Sequence, residues 1–416
     1  MKNLCRRVIN YANRVYNIGE NLRKVEDGRI DPSIPKESVF FSLFLGFVTR
    51  VPSFNELESR NRDEFSNILL KPPSADTLGY TLSRLNIEQL REVLVKTNNH
   101  ARRNKVFRGG TIDGYNVCAL DGTRLYSTKV PQDESLWRKT QKDDGSIIWH
   151  VDMVFLSFVG DCPPLMFGME PIYPGEGETT AAERLIKNAY RDYYRYCDIF
   201  TVDALYAKAP FINAVIDENK DVVVRVKQEN YHIIKDIEGL VANEEPDQII
   251  RNINPKRDKD SYSRYLYDLK IWDRDGFTSW EGVDKPLRCL KIVETKKQIV
   301  RGRVVNEETK TIYLVTTCDK SIVSSLTVWS IAHRRWDIEN SGFHNLKTNY
   351  NLDHCYTHEP KAIIALILVM MIAFNLFMLF FSRNLGGRYK RETKQAIARK
   401  ILTHAGKLKE IALIPI

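Results

Sequence analysis

Val117-Cys-Ala-Leu-Asp-Gly-Thr123 is a short apolar run that ends in a carboxylate, Asp121, and a glycine. It predicts a buried β-strand. A second run, Ile199-Phe-Thr-Val-Asp-Ala-Leu-Tyr206, also predicts a strand and reaches an acid, Asp203, where its apolar residues stop. Each run thus places one acidic side chain at the expected end of a strand. The arrangement of these two strands should decide the fold.

The sequence around these runs predicts three strands, a helix, a strand, a helix and a strand, in that order. This is the order of an RNase H-like fold, an α/β architecture with a mixed five-stranded sheet flanked by helices. In that topology the first and fourth strands are neighbours, so Asp121 and Asp203 would converge. The other elements are expected at 149–160, 164–172, 181–194, 210–218 and 221–227, with Thr179 or Thr180 capping the first helix.

The flanking segments predict further units. Residues 1–108 are expected to form an all-helical N-terminal domain that either binds DNA ends or supports its neighbour, with helices near 37–49, 54–70 and 77–98 and with Ser74 or Asp76 as an N-cap. The core would occupy 109–229 and 319–384. A β-rich insertion at 230–318, with strands near 265–272, 287–294 and 311–317, would interrupt it, and a basic segment, 385–416, would follow.

The charge of the chain is locally concentrated. Its 416 residues suffice for two or three domains, and 62 Lys and Arg against 53 Asp and Glu give a net charge of +9. Nine basic residues and one acid lie between Arg383 and Lys409, and a second basic cluster comprises Arg102, Arg103, Lys105 and Arg108. A phosphate backbone is the simplest partner for both, although a solubilising tail is an alternative.

The seven cysteines predict neither a zinc site nor a disulfide framework, because they are widely spaced with no C-x-x-C pair. His354 and His358 flank Cys355, but the sequence there is typical of a loop, which disfavours a metal site. The first residues lack an apolar run of signal-peptide length, so we expect a cytoplasmic protein.

Residues 362–381 carry no charge and have Asn375 as their only polar side chain. A helix of this composition is either a membrane span or a helix buried in a large core. A span would leave Asn375 in lipid and place Lys361 and Arg383 at its two ends. We therefore expect a core helix and no membrane partner.

Residues 334–347, Arg-Arg-Trp-Asp-Ile-Glu-Asn-Ser-Gly-Phe-His-Asn-Leu-Lys, predict a helix with Arg335, Glu339 and Phe343 on one face. A solvated helix with an Arg to Glu pair is the alternative. Beside Asp121 and Asp203, the Glu339 carboxylate would complete an oxygen cage for two Mg²⁺ ions, an arrangement suited to phosphodiester chemistry. Asp113 competes with Asp121 for this role, and Asp337 competes with Glu339 but would point elsewhere on the helix.

From about residue 117 to 383 the chain resembles the DDE transposases of prokaryotic insertion sequences, in the IS-four class with a YREK-type signature. The resemblance rests on Ala119-Leu-Asp-Gly-Thr123, Thr201-Val-Asp-Ala-Leu-Tyr206 and Arg335-Trp-Asp-Ile-Glu339, with Phe343, Leu346 and Lys347. It implies catalytic and metal-binding roles for Asp121, Asp203 and Glu339. The implied activity is Mg²⁺-dependent cleavage at transposon ends and strand transfer into target DNA by a cut-and-paste mechanism with two ions per site, for which Mn²⁺ can substitute.

The resemblance further implies terminal inverted repeats and target DNA as partners, a homodimer in the end complex, and a nucleoid-associated enzyme in a prokaryote. The residues expected to contact DNA are Arg335, Lys347, Arg334, His333, Trp336, Trp272 and Trp280. The two last tryptophans are candidates for stacking on a flipped base, with core packing as the alternative. Two other functions remain possible: a DNA-binding protein of this fold that no longer cleaves, or a membrane-anchored protein.

The chain departs from the signature at two positions. A Tyr is expected seven residues before Glu339 and a Lys seven after it, but Ala332 and Leu346 occupy these places and Lys347 comes one residue late. On a regular helix Lys347 would lie about 80° around the axis from Glu339. A phosphate contact by Lys347 therefore needs a bulge near Gly342 or a different reach.

Overall fold

The computed structural model describes residues 3–193, 196–227, 231–255, 263–386, 389 and 391–408. Arg388, Lys390 and Lys409 of the basic segment lie outside these residues, as does residue 194 at the end of a predicted helix. The described strands form one mixed sheet flanked by helices. The chain is therefore a mixed α/β protein.

The first half of the sheet surrounds β1, which pairs antiparallel with β3 and parallel with β5. Strand β3 also pairs antiparallel with β2 and β4, and β5 pairs parallel with β6. The spatial order is thus β4, β3, β1, β5, β6, with β2 beside the other end of β3. The bounds are β1 Val117–Thr128, β2 Arg138–Gln141, β3 Ile147–Phe158, β4 Met166–Pro171, β5 Ile199–Val202 and β6 Asp221–Val226.

The strands expected in the insertion extend this same sheet. The last of them, β10, pairs antiparallel with β6, and β9, β8 and β7 follow outward in that order. The sequence pattern located three of the four strands but shortened them, because their outer halves alternate poorly and are largely exposed. The bounds are β7 Gln248–Ile253, β8 Ser263–Phe277, β9 Leu287–Val300 and β10 Arg303–Thr316.

Six helices precede the sheet, and no strand of three or more residues occurs among residues 3–103. The single helix expected at 77–98 is divided, because Leu85 is extended and Asn86 caps the next helix through the Gln89 N–H. Ser74 caps the preceding helix as predicted. The bounds are α1 Leu4–Tyr16, α2 Ile18–Arg23, α3 Lys36–Thr49, α4 Phe54–Arg62, α5 Ala75–Arg84 and α6 Ile87–Arg103.

The later helices pack on the sheet and on the first six. Helix α7 packs on β3 and β4, and α10 packs on β5, β6 and β10. The N-cap of α7 is Gly177, two or three residues earlier than the predicted Thr179 or Thr180. The bounds are α7 Glu178–Asp192, α8 Ala209–Asp217, α9 His232–Val241, α10 Ser325–Arg334, α11 His344–Tyr350, α12 Pro360–Leu379 and α13 Lys394–Ala405.

Helix α12 is enclosed by α3, α5 and α6. Among the described residues one helical segment, Pro360–Asn384, is long and apolar enough to cross a membrane, and 94% of its most apolar stretch is buried. Asn375 is fully buried, yet its amide bonds the Met166 N–H at 2.8 Å, the Met166 carbonyl at 2.7 Å and the Asn98 side chain at 2.9 Å. These contacts favour the core interpretation of the helix.

Replacement of Asn375 by alanine should lower the free energy of unfolding by about 2 to 4 kcal/mol, because it leaves buried polar groups at Met166 and Asn98 without their partner. Thermal and denaturant unfolding of the two proteins would measure the loss. The matched control, exposed Asn55→Ala on α4, should change it by less than about 0.5 kcal/mol. Equal stability of Asn375→Ala and wild type would contradict this account of the helix.

Candidate functional site

Asp121 and Asp203 are brought together by the parallel pairing of β1 with β5. Ala119 pairs with Thr201, so each aspartate lies two residues beyond the same pair and on the same face of the sheet. The structure corrects one detail, because Asp121 lies within β1 rather than at its end. Strand β1 continues to Thr128 along β3, while its parallel partner stops at Val202.

The side chain of Asp203 is fixed by the turn that follows β5. Its Oδ1 atom accepts a hydrogen bond of 2.8 Å from the Leu205 N–H and caps the 3₁₀ turn Ala204–Tyr206. An aspartate at the start of a helical turn commonly caps it in this way. This capping role is compatible with a position beside Asp121. The turn keeps the Asp203 carboxylate at the end of β5, which is shorter than β1.

Arg335 connects Glu339 to Asp121. Its Nη1 atom lies 3.2 Å from Glu339 Oε1 and 3.5 Å from Asp121 Oδ2, and its side chain is only 9% exposed. A nearly buried guanidinium therefore bridges two of the three predicted carboxylates. The Arg335 to Glu339 pair expected from helical spacing is present, but it faces the sheet rather than solvent.

The segment after α10 is not a regular helix. Residues Ile338–Phe343 form a π-helical turn, in which i to i+5 hydrogen bonds accommodate one extra residue. The turn contains Gly342, where a Cβ atom would lie 2.6 Å from Met166 Cε. Phe343 packs edge-on against Phe155 of β3, with ring centroids 5.5 Å apart.

This turn brings Lys347 back to the side of Glu339. The Lys347 ammonium donates a hydrogen bond of 2.8 Å to the Thr123 hydroxyl, two residues after Asp121 on β1. Eight residues across a π-helical turn thus replace the seven expected on a regular helix. The irregularity near Gly342 that Lys347 needs is present in the structure.

The acidic side chains are close enough to perturb each other. Burial raises the pKa of Asp121 to about 7; the Arg335 charge opposes this rise, and Glu339 and Asp203 add to it. Asp121 therefore senses both other carboxylates of the predicted trio. The competing acids lie elsewhere: Asp337 accepts from Arg334 Nε at 2.6 Å, and Asp113 accepts from the Thr327 hydroxyl at 3.1 Å.

Arg334 and His333 do not point at the carboxylates. Arg334 is buried and pairs with Asp337 and with Asp161, whose Oδ1 lies 2.8 Å from its Nη1. The His333 Nε2 atom lies 2.5 Å from Glu294 Oε2, a fully buried carboxylate on β9 that also accepts from Trp329 Nε1. The structure thus assigns Arg334 to packing, contrary to the expected DNA contact, and His333 to the junction between α10 and β9.

The three predicted tryptophans have different environments. Trp280 is buried and stacks on Tyr231 at 4.7 Å, which excludes the expected base stacking in this conformation. Trp272 is partly exposed and donates from Nε1 to the Glu244 carbonyl at 2.9 Å. Trp336 is 45% exposed, and the Arg335 guanidinium lies 4.5 Å from the centre of its ring. It is the one of the three that presents an open aromatic face beside Glu339.

Trp336 lines an open cavity of about 570 Å³ between the Glu339 segment and strands β8 to β10. Four Arg or Lys side chains and two tyrosines share this cavity, and Asn340, next to Glu339, also lines it. The Lys296 ammonium lies 4.2 Å from the ring centre of Tyr265, which is 41% exposed. The basic members are Arg225, Arg264, Lys296 and Lys310.

Part of this arrangement lies in a region that matches a known protein family. Residues 172–376 match the family described as Transposase DDE domain, a range that contains Asp203 and Glu339. This chain carries the DDE domain of a transposase. No curated protein matches the sequence. A cryo-EM structure of a piggyBac transposase synaptic complex with hairpin DNA aligns over 97% of this chain and 79% of its own, with 12% identity and a TM-score of 0.47.

The protein is thus an enzyme of the DDE transposase class, and its DDE domain contains a fourth acid that the sequence pattern did not single out. Glu178, the first residue of α7, accepts a hydrogen bond of 2.7 Å from the Tyr206 hydroxyl. Burial raises the pKa of Glu178, and the Asp203 and Asp152 carboxylates add to the rise. An acid in the first turn of a helix is common because it complements the helix dipole, so its linear context carried no signal.

The three predicted carboxylates suit a hard divalent cation. Asp121, Asp203 and Glu339 offer only oxygen atoms, and the Arg335 guanidinium places a positive charge between two of them. Within the described ranges, no three His, Cys, Asp or Glu side chains are arranged tightly enough to enclose an ion. A divalent cation bound by these oxygen atoms would add its positive charge to that of Arg335.

Glu294→Gln should destabilise the junction that supports the DDE domain's Glu339 segment. Burial raises the pKa of Glu294, but His333, Trp329 and Lys310 outweigh it and hold the value at about 2. Because this folded-state pKa is below the unfolded one, near 4.3, the carboxylate stabilises the fold above about pH 4. We expect a loss on the order of 2 to 3 kcal/mol at pH 6.

The difference between the two proteins should shrink as the pH falls from about 4 toward 2, where the carboxylate becomes protonated in both states. Unfolding curves at a series of pH values would measure it. The exposed Glu308→Gln on β10 is the control and should show a difference of less than about 0.5 kcal/mol throughout. A constant difference for Glu294→Gln at all pH values would contradict the charged junction.

Proposed function

We propose that this protein is a cut-and-paste transposase that cleaves DNA at transposon ends and joins the 3′-hydroxyls to target DNA. The observation that carries the proposal is the approach of Asp203 and Glu339 to Asp121, with Arg335 paired to both Asp121 and Glu339. Three carboxylates from two neighbouring strands and one helical segment form an oxygen-rich site. The DDE domain match over 172–376 supports the reaction class.

Strand topology and the Glu339 segment support a finer family assignment. The order β4, β3, β1, β5, β6, with antiparallel pairs on one side of β1 and parallel pairs on the other, supports an RNase H-like core. Strands β7 to β10 would then be the insertion, and α1 to α6 the N-terminal unit. Arg335, Glu339 and Lys347 support the IS-four class, with a π-helical turn that accommodates the late lysine.

Mg²⁺ is the cofactor that this site fits best, and Asp121, Asp203 and Glu339 would hold it. Two such ions would activate a water or 3′-hydroxyl and stabilise the departing oxygen of the phosphodiester. The chain itself orients the reacting strand: Arg335 and Lys347 carry positive charge on both sides of Glu339, where phosphate oxygens can bind. Their positions on a rigid helical segment fix the strand relative to the carboxylates.

The DNA would continue into the cavity beside Glu339. Its lining combines the four basic side chains with Tyr265 and Trp336, a composition typical of surfaces that bind phosphate and stack on bases. A second contact surface is the basic cluster after α6, which adjoins the basic segment because Arg383 donates to the Asn104 carbonyl at 3.2 Å. We assign these two surfaces to transposon ends and target DNA, bound by a homodimer in the cytoplasm of a prokaryote.

Asp121→Asn, Asp203→Asn and Glu339→Gln should each reduce Mg²⁺-dependent cleavage of transposon-end DNA by about 10³-fold or more, because each removes one charged oxygen donor while keeping the side-chain volume. A gel assay of end cleavage and of 3′-end joining measures the effect, and chelation of Mg²⁺ should stop both reactions. Exposed Asp143→Asn, in the turn between β2 and β3, is the matched control and should remain active.

Full activity in any one of the three variants would remove that residue from the site. If DNA binds but wild-type protein yields no products with Mg²⁺ or Mn²⁺, the protein is instead a DNA-binding protein of this fold. Products made equally well in the presence of a chelator would contradict the metal assignment.

Lys347→Ala should weaken DNA binding to a similar extent for all sequences, because a phosphate contact carries no base information. We expect the slope of log affinity against log salt to fall by about one. Fluorescence anisotropy at several salt concentrations would measure this. Lys129→Ala, at an exposed residue just after β1, is the control; an unchanged slope for Lys347→Ala would exclude the phosphate contact.

A further inference from the structure

Glu178 joins the chain segments that carry the two aspartates. Its Oε1 atom accepts from the Tyr206 hydroxyl at 2.7 Å, and its carboxylate lies against Gly122, whose N–H donates to Asp121 Oδ1 at 3.1 Å. Gly122 directly follows Asp121, and Tyr206 lies in the 3₁₀ turn that Asp203 caps. One carboxylate on α7 thus contacts the backbone beside Asp121 and the turn beside Asp203.

The contact leaves no space between Glu178 and Gly122. A Cβ atom at Gly122 would lie 2.3 Å from both Cδ and Oε2 of Glu178, so the carboxylate rests directly on the glycine. Tyr206 is fully buried, so its hydroxyl has no access to bulk water as an alternative partner. Gly122, next to Asp121, and Tyr206, three residues after Asp203, therefore both contact Glu178.

The position of Glu178 carries an electrostatic cost. Burial and the charges of Asp203 and Asp152 disfavour its ionised form. The Tyr206 hydroxyl and the Gly122 N–H offset part of this cost, because both favour the charged form of the Glu178 carboxylate. Glu178 follows the N-cap of α7, which is Gly177, so helix capping does not account for an acid held beside other acids.

We propose that Glu178 is a positioning residue that sets the separation of Asp121 and Asp203 for binding a divalent cation. The Gly122 contact holds the strand segment of Asp121, and the Tyr206 contact holds the turn of Asp203. The β1 to β5 pairing ends two residues before Asp121, so backbone hydrogen bonds between these strands do not fix this separation. The inference rests on the proposed function, since it concerns the same three carboxylates.

Mn²⁺ binding to the full chain, measured by electron paramagnetic resonance without DNA, tests this role independently of catalysis. Glu178→Ala should weaken Mn²⁺ affinity by about 10 to 100-fold. Tyr206→Phe, which keeps the ring and removes one donor, should weaken it to a smaller extent. Glu178→Gln should regain most of the affinity lost in Glu178→Ala, because its amide oxygen can still accept from Tyr206.

Two results would overturn the proposal. Mn²⁺ affinity equal to wild type in both Glu178→Ala and Tyr206→Phe would show no positioning role. Affinity of Glu178→Gln as weak as that of Glu178→Ala would show that the charged carboxylate is itself a ligand. Thermal unfolding of Tyr206→Phe and Glu178→Gln, both nearly isosteric, separates these outcomes from loss of fold.

Two controls separate this inference from the proposed function. Glu183→Ala lies about 140° around α7 from Glu178 and should leave Mn²⁺ affinity unchanged. Asp121→Asn should abolish tight binding. If Asp121→Asn binds Mn²⁺ like wild type, the proposed metal site itself fails, whereas loss in Asp121→Asn without loss in the Glu178 and Tyr206 variants overturns only the positioning role.

Discussion

The parallel pairing of β1 with β5 is the constraint on which the site depends. It is only three residue pairs long, from Val117 with Ile199 to Ala119 with Thr201, and both aspartates follow it at the same distance. Parallel strands need a long crossover, which α7 supplies after the antiparallel strands β3 and β4. The short pairing is therefore enclosed by helices and neighbouring strands, and the acids emerge where it stops.

Charge balance then decides how the helical segment meets the sheet. Asp121, Asp203, Glu178 and Glu339 would repel each other if they converged without cations. Arg335 offsets part of this repulsion from a nearly buried position, and Lys347 adds a second positive charge through the π-helical turn. The buried Glu294 on β9 in turn holds α10, the helix before the Glu339 segment, through His333 and Trp329. Residues 333–339 thus contain both the ion pairs beside the predicted carboxylates and those that fix the segment to the sheet.

The sequence predicted those features that depend on local patterns. Apolar runs that stop at acids located the strands of Asp121 and Asp203, and helical spacing located the Arg335 to Glu339 pair. It could not predict which charged or aromatic residues would be buried, so Arg334 and Trp280 were expected at DNA although both lie in the interior. The π-helical turn lies against Met166, and Glu178 lies against Gly122. Both contacts join residues that are distant in sequence, so local patterns do not reveal them.

The burial of α12 among the first helices has a consequence for how the chain is made. Helices α3, α5 and α6 leave the ribosome more than 250 residues before α12, which completes their core. At about 5 to 20 residues per second, their apolar surfaces wait roughly 10 to 50 seconds for α12. During synthesis these surfaces are therefore exposed to other apolar chains, and their shared core forms only after α12 has emerged.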